Sequence, residues 1–195
     1  MEELTAFLRV IHVTNAVLMA WPFYALVAVN QRGRLGPPIG DRVDVYMENI
    51  IKNRTIPCFV FQATALISGA ILVVLHGRSL ADLAANPVLA LKFFPLLLIG
   101  GLLAYVYLSL QPRIDALFAQ AGGSPVSPEL AKQIGPLRIH RKRMATICLF
   151  VVLLSTMLGV QVWAPFPIWL TMVLIAAIGL FTWRAYSSVT PYGWV

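Results

Sequence analysis

Arg9, His12 and Asn15 recur at every third position of an otherwise apolar run, residues 5–29, and Met19 follows one turn later. On a helix all four project from one side. An imidazole is a metal ligand or proton carrier, and a guanidinium binds carboxylates and phosphates. Ionisable groups inside a bilayer are costly and so tend to face a bundle interior, paired or functional. His76, which closes the second apolar run, and Lys92, one turn into the third, belong at the same side of the membrane. Haem uses such a set: an axial imidazole, with Arg or Lys nearer the water for its propionates. His12 is the expected axial ligand and His76 the candidate second ligand to the iron. Arg9, one turn outward of His12, is placed for a propionate, and Asn15 lies beside the imidazole. Gly69, in line with Gln62 and His76, admits a flat macrocycle or a close helix neighbour. The same residues also allow a plainer arrangement. There His12 bonds Asn15 or a carbonyl, His76 ends a helix at the interface, and Lys92 snorkels outward.

Other chemistries are poorly served. Met19, Met47, Met144, Met157 and Met172 are scattered in depth, and no Met-x-Met or Cys-x-x-Cys pair offers copper soft ligands. There is no His-Glu-x-x-His run for zinc hydrolysis. The apolar runs contain no carboxylate, which disfavours a proton relay or cation pathway. Cys58 and Cys148 lie just inside two of those runs, and both are expected to be reduced packing residues rather than a disulfide.

The elements that must position these groups are transmembrane helices. Of the 195 residues 59% are hydrophobic and 12% charged, with a mean hydropathy of +0.79. A soluble domain carries about a quarter charged residues. Apolar runs at 5–29, 56–76, 88–110, 144–164 and 168–189 are each long enough to span about 30 Å. The expected fold is therefore all-α, a single membrane domain over residues 1–195 with five transmembrane helices. The first run is too long for a signal peptide and is preceded by Glu2 and Glu3, so it is kept as mature structure. Lys and Arg concentrate in connections 30–55 and 111–143, whereas 77–87 and 165–167 are nearly devoid of them. The positive-inside rule then puts the N-terminus outside and the C-terminus in the cytoplasm, in a bacterial inner membrane.

Within the first cytoplasmic connection, Gly/Pro-rich residues 32–40 precede an amphipathic stretch. Val43, Tyr46, Met47, Ile50 and Ile51 share one helix face there, opposite the charges. An interfacial helix covering its own bundle is expected before the second run. In the second connection, Ser127 caps a short helix and the basic run 138–143 leads into the fourth span. That run abuts an apolar span, so it reads as a topology anchor attracted to anionic lipid rather than a nucleic-acid site, with His140 solvated.

His12, the stretch VYMENIIKNRTIP at 45–57 and ALKFFPLLL at 90–98 together resemble the HemJ-type protoporphyrinogen oxidases and related CopD-like membrane proteins, over residues 5–110. The chain departs from that pattern at LMAWPFYAL (18–26), before the fourth run, and by its fifth run. The resemblance implies a membrane oxidoreductase with haem b, with His12 and Lys92 as the functional residues and Lys92 in the catalytic role. A porphyrin or quinone would be the partner in electron transfer. The contrasting expectation is a non-catalytic subunit, homo-oligomeric or anchoring a larger membrane complex. Trp163, Trp169, Trp183, Tyr192 and Trp194 would then form an aromatic belt, and Gly100, Gly101, Gly159 and Gly179 close helix contacts.

Overall fold

The computed structural model of the chain describes residues 2–20, 22–122, 126–161 and 165–187, and every regular element among them is helical. In order these are α1 (Glu2–Leu18), α2 (Pro22–Leu35), α3 (Arg42–Lys52), α4 (Thr55–Leu75), the single turn α5 (Asp82–Ala85), α6 (Pro87–Tyr105), α7 (Gln111–Gln120), α8 (Pro128–Val160) and α9 (Ile168–Ser187). Trp163, Tyr192 and Trp194 lie outside the described residues.

Among the described residues, four stretches are long and apolar enough to cross a membrane: Arg42–Leu75, Leu89–Gln120, Pro128–Val160 and Ile168–Ser187. The first apolar run is not the continuous helix expected. It breaks after Leu18, four residues before Pro22, which has no backbone N–H to donate to the Leu18 carbonyl. The chain turns through Met19 and Ala20, and Phe23 N bonds Ala20 O at 2.9 Å as α2 begins. Even so, α1 and α2 together run the length of the bundle. Arg9 touches His76 at the far end of α4, Met19 sits in the central core, and Arg32 meets α3 at the opposite end.

The fourth span also differs. The short helix and the span are one 33-residue helix, α8, with Pro136 inside it. Pro136 is exposed, so solvent can satisfy the Lys132 carbonyl that it leaves without a donor. At 1.5 Å per residue α8 is roughly 50 Å long, well beyond a hydrocarbon core of about 30 Å. Between α6 and α7 the chain widens into one π-type turn, Val106–Leu110. Pro112 lies just beyond and denies the Leu108 carbonyl its usual partner, which the wider turn accommodates.

α8 is the central post, packed by α2, α6, α7 and α9, while α1 lies along α4 and α4 along α6. Met19, Ala65, Ile99, Cys148, Val151 and Val152 form the main core, and Leu26, Leu149 and Ala185 a second. Large apolar side chains line the outside, such as Leu108 (72% exposed), Leu180 (70%) and Ile168 (83%). Water would penalise such a surface, while lipid accepts it. Of the four glycines expected at helix contacts, Gly101, Gly159 and Gly179 have open space where a Cβ would lie. Only Gly100 is closely approached, by the Gln62 amide, which donates to Leu96 O at 2.6 Å and ties α4 to α6.

Candidate functional site

The residues expected at the outer side, Arg9, His12 and His76, converge where α1 meets α4. The His12 ring lies over Gly69, where an added Cβ would stand 3.1 Å from His12 Cε1. The space at Gly69 thus receives the imidazole of the neighbouring helix rather than a macrocycle. His12 Nδ1 is 2.9 Å from Ser68 Oγ, and Ser68 Oγ is 2.6 Å from Thr64 O. The carbonyl can only accept, so the hydroxyl proton goes to Thr64 and the hydroxyl oxygen accepts from Nδ1–H. This network assigns His12 the Nδ1–H tautomer and leaves the Nε2 lone pair for a ligand or a proton. Lys92 approaches from α6 to within electrostatic range of the same ring.

His76 is held differently. Its Nδ1–H donates to Leu72 O at 2.6 Å, and its Nε2 accepts from Arg9 Nη2 at 2.9 Å. Both ring nitrogens therefore have protein partners. Asn15 turns its amide back to the Ile11 carbonyl, 2.8 Å, rather than to His12. Arg9, His12, His76 and Lys92 are thus brought to one end of the bundle, and Asn15 is buried one turn further in.

Tested against haem, this donor set offers one nitrogen that could hold the iron, Nε2 of His12, on a ring held by Ser68 through Nδ1. His76 would become a ligand only if Arg9 left its Nε2. Arg9 and Lys92 provide the cationic side that carboxylates require.

The opposite end holds a second cluster, which is buried and ionic. Asp44 (1% exposed) and Glu48 (7%) are one turn apart on α3, and Arg138 (7%) and Arg141 (5%) one turn apart on α8. The spacings i, i+4 and i, i+3 put each pair on one helix face. Arg138 Nη1 and Nη2 donate to Asp44 Oδ1 and Oδ2 at 2.8 and 2.9 Å. Arg141 grips both oxygens of Glu48 and also donates to Gln111 Oε1 at 2.5 Å. Arg32, from α2, donates to Glu48 Oε2 at 2.8 Å. Two bidentate forks and a third guanidinium thus join α2, α3, α7 and α8. Three cations share two anions. Burial and the neighbouring Arg138 charge push the Arg32 guanidinium below its usual pKa, with Glu48 pulling it back. Asp44 Oδ2 also accepts from Gly40 N at 2.9 Å, and Val126 N donates to Ile39 O at 3.1 Å. The two polar connections are therefore stitched to one another.

Three expectations about this end change. α3 buries Asp44, Glu48 and Ile51 and leaves Val43 and Tyr46 42% and 64% exposed, so only part of its apolar face, Ile51 with half-buried Met47 and Ile50, packs on the bundle. The basic run is largely interior: Arg138 and Arg141 are ion-paired, Lys142 is buried, and Arg143 is exposed. His140 is not simply solvated, since its Nε2 lies 3.3 Å from the Tyr105 hydroxyl.

Comparison of the chain with protein-family models, with curated proteins and with solved structures yields no match.

Against the ionic cluster lies a cavity of about 70 Å³ lined by Cys58, Cys148 and Met144 together with Gln111 and Arg141. Both cysteines are free and buried. Ser68, Gln111 and the Asp44–Arg138 and Glu48–Arg141 forks are structural determinants that periodicity alone did not single out. Their signal was the matched one-turn spacing of opposite charges on two separate segments.

Proposed function

We propose that this chain is a membrane redox protein of five spans, N-terminus outside and C-terminus cytoplasmic, that binds haem b through Nε2 of His12. The observation that carries this reading is the His12–Ser68–Thr64 chain, which fixes the imidazole and frees its second nitrogen inside an apolar helix pair. Such second-shell orientation is typical of metal-ligating histidines. Kinked α1–α2 is the fifth span, counted with the four long apolar helices, and the Lys and Arg of both polar connections support the orientation. α3 is the interfacial helix, its Val43 and Tyr46 turned to the headgroup region.

Bound haem would supply one-electron chemistry between a quinol or porphyrinogen donor and an acceptor. The chain's own residues hold and orient. Ser68 keeps the proton on Nδ1, and Arg9 and Lys92 present cations to carboxylates, whether of the cofactor or of a porphyrinogen substrate. The resemblance to HemJ-type oxidases agrees with that division of labour, with Lys92 toward the substrate. His76 serves as the partner that aims Arg9.

The test is an oxidised and reduced absorption spectrum of the protein purified after expression with haem supplied. A Soret band is expected, lost in His12→Ala and retained in His76→Ala. No pigment in the wild-type protein refutes the cofactor. If stoichiometric subunits co-purify instead, the chain is an anchoring subunit. Pigment unchanged in His12→Ala refutes the ligand.

A further inference from the structure

The basic run divides into two parts with different partners. Arg138 and Arg141 turn inward to α3, whereas Lys142 and Arg143 converge on one residue of α9, Tyr186. Lys142 Nζ lies 5.9 Å and Arg143 Cζ 5.8 Å from the centre of the Tyr186 ring, and Arg143 Nε donates to its hydroxyl oxygen at 2.7 Å. Lys142 is only 7% exposed, so its stem is packed between α8 and α9 while its charge sits against the ring.

No carboxylate side chain is left for these two cations. The chain has eight, all described, and none after Glu129. Asp44 and Glu48 are taken by the inner network, Asp115 accepts from Lys52 at 2.7 Å, and Asp41 caps α3. Asp82 accepts from Ser79 N and, with Glu2 and Glu3, belongs to the opposite end. Glu129 precedes Lys142 by more than three turns, roughly 20 Å along α8.

The surroundings define what completes the site. Ile147, one turn from Arg143 toward the apolar part of α8, is 45% exposed. Trp183, one turn from Tyr186 on α9, is 65% exposed with its ring 6.1 Å from the tyrosine. A pair of cations thus sits at the foot of an outward-facing apolar strip, with an indole at the boundary where such rings favour the headgroup level. The geometry points to a binding site for an anionic phospholipid. Lys142 and Arg143 take its headgroup phosphate, and its acyl chain lies over Ile147 and Trp183. An anionic headgroup leaves one of the two positive charges uncompensated, whereas a zwitterionic headgroup, which brings its own ammonium, leaves both. Free phosphate would leave the apolar strip unused. Only the leaflet of this lipid depends on the orientation proposed above; the site itself depends on neither orientation nor haem.

The test is native mass spectrometry of the full chain released from detergent, titrated separately with phosphatidylglycerol, phosphatidylcholine and inorganic phosphate. Phosphatidylglycerol is expected to remain bound where phosphatidylcholine is stripped. Lys142→Gln with Arg143→Gln should weaken its retention by on the order of tenfold or more, and Arg113→Gln should leave it unchanged. Tyr186→Phe keeps the ring but removes the acceptor of Arg143, so it should weaken retention less, and it decides the matter if the double variant does not fold. Equal retention of the two lipids by the wild-type protein overturns the site. So does full retention by both variants, or displacement of phosphatidylglycerol by millimolar inorganic phosphate.

Discussion

Replacing Glu48 with Gln removes one of the two anions that hold two buried guanidiniums, Arg138 and Arg141, and the half-buried Arg32. In the wild-type protein Glu48 receives both nitrogens of Arg141, Arg32 at 2.8 Å and Arg138 at 3.2 Å. Its side chain is 9% exposed and that of Arg141 5%, so water cannot take over these contacts. With Glu48 neutral, Asp44 alone faces Arg32, Arg138 and Arg141, and the cluster charge rises from one positive to two. Breaking a buried pair by removing one partner costs about 3–5 kcal/mol. For a chain of this size each kcal/mol lowers the midpoint by roughly 2–4 °C, so Tm should fall by about 6–20 °C. Arg141→Met should also destabilise, because it removes the bidentate partner of Glu48 and leaves that carboxylate to Arg32 and Arg138. The double variant restores the charge to one positive, so its loss should be smaller than the sum of the two by about 1.5 kcal/mol or more. The assay is thermal unfolding in mild detergent, followed by size-exclusion chromatography with tryptophan fluorescence. Single variants within about 2 °C of wild type, or a double variant that is simply additive, would refute the argument that the cluster is a coupled structural tie.

Three other outcomes follow from close contacts. Gly69→Ala puts a Cβ 3.1 Å from His12 Cε1 and should displace the ring from Ser68; on ¹⁵N-histidine spectra the Nδ1–H tautomer should lose its dominance, as it should in Ser68→Ala. Gly100→Ala puts a Cβ 2.5 Å from Gln62 Nε2, so it should break the bond to Leu96 O and cost about 1–3 kcal/mol; in thermal unfolding Gln62→Ala should relieve most of that loss, and an unrelieved loss would place the strain elsewhere. Cys58 and Cys148 are 7% and 4% exposed, so neither should react with a polar maleimide until the protein unfolds, as mass measurement of the labelled chain would show.

Length and hydropathy made the four long helices legible, because a run of some 20 apolar residues has few alternatives. The assembly of Arg9, His12, His76 and Lys92 at one end was also legible, since depth along each helix follows from position in its run. The partners within that end were not. Depth does not fix the rotation of a helix about its axis, and rotation decides whether His12 meets Asn15 on its own helix or Ser68 across the interface. The break at Pro22 and the continuity through Pro136 show the same limit from another side. Pro22 falls between two segments that pack on different partners, α1 on α4 and α2 on α8, so a bend there gains contacts on both sides. Pro136 lies where solvent can repair the lost bond, so α8 continues.

The rotation of α3, which buries Ile51 but exposes Val43 and Tyr46, shows why apolar periodicity was an incomplete guide at the other end. Val43 and Tyr46 mark an apolar face, and in water such a face is driven inward against the bundle. Beside a bilayer that inward drive is weaker, because lipid tails are as apolar as the core. What then sets the rotation is the cost of leaving Asp44 and Glu48 without counter-charges. Two bidentate arginine pairs, Arg138 with Asp44 and Arg141 with Glu48, outweigh the residual preference of Val43 and Tyr46 for the interior. Reading amphipathic segments beside a transmembrane run therefore requires matching acids to bases before apolar residues to a core. Applied to this chain, the rule pairs 44 and 48 with 138 and 141, the spacing at which two helices can exchange four charges face to face.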